Sequence, residues 1–198
     1  MTRNRLEAFS DGVIAIIITI MVLELRPPEG STVASLFEGH LRAKFAAYVL
    51  SYIYLGIYWN NHHHLMHAVE RVDGAIMWAN LHLLFWLSVV PFTTAWMGEH
   101  AGAAQPAALY GFSLLMAAIA YTILVKAIIS EQLHHSGGAH SKLRDLLGND
   151  RKGLASIALY MAGSALAFVT PVFGYACFAA VAIIWLIPDR RISRKLHE

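Results

Sequence analysis

Six apolar stretches, each close to the length that crosses a lipid bilayer, dominate this 198-residue chain. A helix of about 20 apolar residues spans roughly 30 Å of hydrocarbon. The sequence therefore predicts a single domain, residues 1–198, that is an all-α integral membrane protein with six transmembrane helices. The predicted spans lie at about 7–25, 43–62, 75–97, 105–129, 154–170 and 172–188.

The last two spans are separated only by Pro171, within an apolar run of about 34 residues. A single straight helix of that length would reach roughly 51 Å, which is too long for one crossing. The sequence therefore predicts a tight helical hairpin. Gly163, Ser164 and Ala167 offer a face of small residues for close packing between helices there.

The composition agrees with a membrane protein, because 57% of the residues are hydrophobic and only 14% are charged. Soluble domains usually carry about 25% charged residues. The basic residues lie in the connections and not on one face, so the sequence predicts no nucleic-acid partner. The single cysteine, Cys177, excludes a disulfide framework and a cysteine metal site.

The distribution of lysine and arginine predicts the orientation. If the N-terminus is cytoplasmic, only Arg26, Arg42 and Lys44 lie outside, and the other twelve of the 15 basic residues lie inside. Basic residues are enriched on the cytoplasmic side of membrane proteins. We therefore expect a multi-pass protein of the cell (plasma) membrane with both termini in the cytoplasm.

The first span opens with polar residues, Arg5, Ser10 and Asp11, around an aromatic one, Phe9. Ionisable groups at the mouth of a membrane helix are costly and indicate a functional site. A simpler interpretation fits equally well, in which Ser10 or Asp11 caps the helix and Arg5 anchors the topology.

This Arg-x-x-x-Phe-Ser-Asp box, and the apolar helix that follows it, resemble the signature of the transmembrane protein 175 family of potassium channels. The likeness covers roughly the first half of the chain and continues at Trp59, His62, Leu65, Asn80, Leu81, Pro91 and Phe92. The human member carries two six-helix repeats, whereas the bacterial members carry one and assemble as tetramers. This chain has one, so the resemblance implies a bacterial-type homotetramer. It implies a potassium-preferring channel for K⁺ and other monovalent cations, with no cofactor and no enzymatic activity.

Ile16, Ile20 and Leu23 follow the spacing of one stripe along the first helix. The spacing alone does not say which face meets lipid, and most such triads are lipid-facing or core residues. The resemblance implies that this helix lines a central pore, that the three residues form its constriction, and that Thr19 lies at a position linked to selectivity. An apolar constriction favours potassium because potassium sheds its water more easily than sodium does.

The resemblance also selects a network that holds the pore helix. Arg5 lies six residues before Asp11, too far for a contact within one helix. We therefore expect its partner on a neighbouring helix, and the candidates are Trp59, His62 and Asn80.

A run of histidines, residues 62–64 with His67 after them, ends the second span. His63 and His67 have the i,i+4 spacing of a metal-binding pair. The sequence shows no third ligand, so it favours an incidental run at a solvated helix end and predicts no metal site.

Two other functions remain open. A proton- or cation-coupled secondary transporter is expected to have repeated halves and ionisable residues at mid-membrane, and the sequence shows no internal repeat and almost no mid-span charge. An intramembrane metal or haem enzyme needs convergent ligands at membrane depth, whereas these histidines crowd one end of one helix.

Overall fold

The protein forms a bundle of α-helices. The computed structural model describes residues 1–28, 30–33, 35, 41–136, 141, 143–144 and 151–186. Within these ranges six α-helices have described bounds, and there is no strand. They are α1 (Arg3–Ile20), α2 (Leu41–His67), α3 (Gly74–Glu99), α4 (Ala104–His135), α5 (Arg151–Leu166) and α6 (Pro171–Leu186). A short 3₁₀ turn, Met21–Glu24, prolongs α1.

Each predicted span coincides with one of these helices, and the differences lie at the helix ends. The second helix continues to His67 and the fourth to His135, beyond the predicted ends at 62 and 129. Hydropathy marks the part of a helix that suits hydrocarbon, whereas backbone hydrogen bonds extend through the polar residues that follow. The predicted end of the sixth span, 187–188, lies outside the described residues.

Three helical stretches among the described residues are long and apolar enough to cross a membrane: Arg3–Glu24, Gly74–Glu99 and Ala104–His135. Pro171–Leu186 is apolar but shorter. Helix α2 has the length, but polar residues at its end, including Asn60 and Asn61, reduce its apolar character. By length and composition, the structure thus supports six helices and three clear membrane crossings.

Helix α3 lies at the centre of the bundle and contacts α1, α2 and α4. Fully buried aliphatic side chains from all four helices meet there, among them Ile14, Leu55, Leu83, Leu87 and Leu124. A second apolar cluster joins α2 and α4 to the last two helices, and its buried members include Tyr54, Tyr110, Tyr160 and Phe178. The Tyr54 hydroxyl donates a hydrogen bond to the Phe178 carbonyl within this cluster.

The predicted hairpin is confirmed. Helix α5 ends at Leu166, and Pro171 is the first residue of α6, a position where proline is favoured because its N–H would have no helical partner. The two helices approach closely at small residues, since a Cβ on Gly174 would lie 3.0 Å from the Gly163 carbonyl oxygen and 3.2 Å from the Ala167 Cβ. Ser164 instead faces Gly111 of α4.

The close approach generates a stability prediction for Gly163→Ala. The added Cβ would lie 2.7 Å from Phe178 Cε1 and 2.9 Å from Cys177 Cβ, so α5 and α6 must separate. We expect a loss of about 1–3 kcal/mol, as for other overpacked cores. Thermal unfolding of the purified protein in detergent, followed by tryptophan fluorescence, measures the effect.

Gly56→Ala in α2 is the matched control, because a Cβ there meets nothing within 4 Å. A helical glycine replaced by alanine without a clash should gain about 0.5–1 kcal/mol. Equal melting temperatures for the two variants would contradict close packing at Gly163.

Candidate functional site

Helix α1 has one buried and one exposed face. The buried face packs on the bundle and consists of Leu6, Ser10, Ile14, Ile17 and Met21. The other face carries the three residues predicted to form the constriction: Ile16 is 64% exposed, Ile20 47% and Leu23 74%. We call Ile16, Ile20 and Leu23 the apolar stripe. All three point away from the core of their own protomer.

Ser10 fixes α1 to its neighbours through a chain of hydrogen bonds. The His62 Nε2–H donates to Asn80 Oδ1 at 2.8 Å. The Asn80 amide nitrogen donates to Ser10 Oγ at 2.9 Å, and the Ser10 hydroxyl donates to the Leu6 carbonyl at 2.8 Å. The three side chains are fully buried. This network ties α1, α2 and α3 together at one level of the bundle.

The acidic side of α1 faces α2. Trp59 Nε1–H donates to Asp11 Oδ1 at 3.1 Å, and His63 Nδ1 lies 3.1 Å from Glu7 Oε1. Residues four apart in a helix lie on one face, so Glu7 and Asp11 lie on the same side of α1. Glu7 contacts His63 and Asp11 contacts Trp59, which gives two neighbouring contacts between the antiparallel helices α1 and α2. Asp11 is therefore bonded to a residue of its own protomer, although it remains partly exposed.

Arg5 behaves differently from the expectation. Its side chain is exposed, and it has no hydrogen bond or ion pair to any residue that the structure describes. Of the predicted partners, Trp59 donates to Asp11 and Asn80 to Ser10, whereas His62 is bonded to Asn80. Arg5 lies eleven residues, about three helical turns, before Ile16, so it shares the face of the apolar stripe.

Phe9 and Thr19 also lie on the exposed side of α1. Phe9 is 49% exposed. The Thr19 hydroxyl donates within its own helix, to the Ala15 carbonyl at 2.9 Å and to that of Ile16 at 3.1 Å. Its side chain is exposed next to Ile20.

Sequence reasoning missed Glu7. The available signal was its i,i+4 relation to Asp11, which places both carboxylates on one face of α1. The structure shows that this face meets the histidine end of α2.

Comparison with known proteins places this arrangement in a family. Residues 5–91 match the family described as the endosomal/lysosomal potassium channel TMEM175. The chain is 52% identical over its full 198 residues to a potassium channel of Chryseobacterium sp. (strain P1-3), and the alignment covers all of both proteins. A potassium channel of Streptomyces collinus is 40% identical over 121 residues, 59% of each chain.

A solved structure agrees along nearly the whole chain. It is the crystal structure of a Chamaesiphon minutus homologue of the lysosomal potassium-selective channel TMEM175, with a TM-score of 0.76 and 28% identity, covering 93% of this chain and 96% of that one. The chain belongs to the TMEM175 family. It is accordingly a multi-pass membrane protein, and the family resemblance of the box at Arg5–Asp11 is confirmed.

The buried network predicts that Asn80→Leu destabilises the protein while keeping the side-chain volume. The substitution leaves the buried Ser10 and His62 without their shared partner. Removing one partner from a buried polar group costs about 1–3 kcal/mol. Urea or thermal unfolding in detergent should show the loss directly.

Asn60→Leu provides the comparison, since Asn60 is exposed in α2. It should change the free energy of unfolding by no more than about 0.5 kcal/mol. If both variants unfold alike, the hydrogen-bond chain does not hold α1.

Proposed function

We propose that the protein is a potassium-preferring cation channel in which four copies place α1 around a central axis. The observation that carries the proposal is the exposure of the apolar stripe, while the other face of the same helix is buried and hydrogen-bonded. A rigidly held helix whose large apolar side chains face away from its own core suits the wall of a pore between subunits. Ile16, Ile20 and Leu23 then form the constriction.

The proposal requires several copies of the chain, because the α1 helix of a single copy cannot enclose a pore. Copies arranged about an axis bring the same stripe together from every side, and family likeness to tetrameric bacterial channels gives the number four. Arg5, unpaired within the described protomer, lies on the same face of α1 and so is directed toward the axis or a neighbouring subunit.

Selectivity follows from the chemistry of the stripe. The sequence has no Thr-Val-Gly-Tyr-Gly segment of the kind that supplies a carbonyl filter. The α1 carbonyls are engaged in helix, and Thr19 donates to two of them. An ion that passes isoleucine side chains gains no oxygen ligand and must shed part of its water. Potassium loses water more easily than sodium, so the preference is kinetic and modest, and closure of the apolar neck stops conduction by dewetting.

The proposed orientation places both termini in the cytoplasm and the protein in the plasma membrane, supported by the asymmetry of lysine and arginine. The beginning of α1 and the histidine end of α2 then lie on the cytoplasmic side. K⁺ and other monovalent cations are the proposed permeant partners.

Ion selectivity tests the function itself. Reconstituted protein in planar bilayers under a potassium/sodium gradient should give currents whose reversal potential lies toward the potassium equilibrium potential. No nucleotide should be required. A chloride-selective current, or none from assembled protein, would refute the channel. Transport that stops when a coupling-ion gradient is removed would favour a secondary transporter.

The constriction predicts the effect of Ile16→Ala. Truncation removes bulk from every subunit at once and widens the neck, so conductance should rise and the potassium preference should fall. Ile16→Asn keeps a similar volume while wetting the neck, so it should also raise the current. Single-channel recordings and bi-ionic reversal potentials measure both quantities.

Ile17→Ala is the matched control, because Ile17 is only 5% exposed and packs inside the protomer. It should lower the melting temperature through a core cavity and leave the potassium/sodium preference unchanged. If Ile17 rather than Ile16 governs selectivity, α1 is rotated from the proposed setting and the stripe does not line the pore.

A further inference from the structure

Three side chains with metal-ligand atoms converge where α1 begins and α2 ends. Glu7, His63 and His67 each offer one ligand atom, and these atoms lie within 4.8 Å of one another. The two histidine Nε2 atoms are 3.1 Å apart. The fold thus brings Glu7, which lies 56 residues before His63 in the sequence, next to the histidine pair. The sequence alone did not indicate Glu7 as a third group at this pair.

The distance between the two nitrogens suits a tetrahedral ion. Two Zn–N bonds of about 2.05 Å at a tetrahedral angle place their nitrogens about 3.3 Å apart. The observed 3.1 Å is close to that separation, and both atoms belong to residues on one helical face. A small shift of the rings admits an ion in place of the proton that they share.

Glu7 prepares His63 for this role. Because the carboxylate accepts the Nδ1–H of His63 at 3.1 Å, the lone pair of His63 lies on Nε2, toward His67. A carboxylate behind a ligating histidine is a recurrent feature of zinc sites, where it fixes the ring and raises its basicity. The Trp59 ring, stacked on His63 with centroids 6.2 Å apart, holds the imidazole from a second side.

We infer that Glu7, His63 and His67 form a binding site for a divalent transition-metal ion of the Zn²⁺ class. The Nε2 atoms of His63 and His67 are the protein ligands, Glu7 holds the His63 ring and balances charge, and water completes the coordination. The side chain of His63 is 41% exposed and that of Glu7 16%, so an ion reaches the site from solution. The bound ion clamps α2 to the carboxylate side of α1.

A second histidine–carboxylate pair in the protein shows what the site requires. His135 Nδ1 lies 3.2 Å from Glu131 Oε1, but the His135 Nε2 is occupied by Arg71. An arginine at the position where a cation must sit repels it. This pair therefore serves as an internal control with the same residue types and no expected binding.

The test is direct metal binding to the tag-free, full-length protein in detergent at pH 7.5. Titration calorimetry with ZnCl₂ should show one ion bound per protomer, and Zn²⁺ should raise the melting temperature whereas Mg²⁺ should not. His63→Ala and His67→Ala should each abolish both effects. Glu7→Gln should raise Kd about tenfold, as the loss of a supporting carboxylate does at other zinc sites.

His64→Ala and His135→Ala are the matched controls and should bind as the unchanged protein does. Binding that survives His63→Ala and His67→Ala would overturn the assignment, as would loss of binding in His135→Ala or no saturable binding at all. If Glu7→Gln leaves the Kd for Zn²⁺ unchanged, Glu7 is not part of the site, and the proposal that the ion links α2 to α1 is refuted.

A measurement on the unsubstituted protein guards against variants that fail to fold. Co²⁺ in place of Zn²⁺ should give the visible absorption of a tetrahedral nitrogen- and oxygen-bound ion. The absence of this absorption at saturating Co²⁺ would count against the assigned coordination. None of these readouts requires ion conduction, so they decide the site whether or not the protein proves to be a channel.

Discussion

The hydrogen-bond chain from His62 through Asn80 to Ser10 sets the rotation of α1, and the rest of the arrangement depends on that rotation. Apolar residues surround this helix on every side beyond the box, so burial of apolar area distinguishes its rotational settings only weakly. A buried polar group without a partner costs about 1–3 kcal/mol. Turning the helix by one residue, about 100°, would leave the buried Asn80 amide nitrogen without the Ser10 oxygen that accepts its hydrogen bond. The polar chain therefore decides which apolar face is exposed.

The contacts with α2 reinforce the same setting from the adjacent face. Glu7 and Asp11 meet His63 and Trp59 at 3.1 Å each, and the tryptophan and imidazole rings stack on each other. Each such partly exposed contact stabilises the protein little. These contacts instead fix the register of α1 against α2. Sliding or turning α1 would break both contacts and also the buried hydrogen bond between Asn80 and Ser10. Because a displacement of α1 loses several contacts at once, one position of the helix is favoured over shifted or rotated positions.

Much of the fold could be predicted from the sequence, because hydropathy and helix length are local properties. They indicated six helices, and Pro171 indicated the hairpin. The family resemblance placed Ser10, His62 and Asn80 in one network. Partners could not be assigned: Trp59 binds Asp11, not Arg5. Glu7 was missed because its contact with His63 depends on the register of two helices that are far apart in sequence. The exposed face of α1 likewise requires its neighbours to be in place.

The residues of the box at the start of α1 thus differ in which face of the helix they occupy, and this difference does not follow their polarity. Ser10 and Asp11 are satisfied inside the protomer, whereas Arg5 and Phe9 point outward along the line that continues to Ile16. One short segment therefore couples two properties, because the polar contacts on the inner faces determine where the outer residues stand. A change at Ser10 alters the outer face indirectly by releasing the helix, and a change at Ile16 alters it directly while the anchors stay intact. The hydrogen bonds of Ser10 and Asp11 therefore determine where Ile16 and the rest of the apolar stripe lie on the protomer surface.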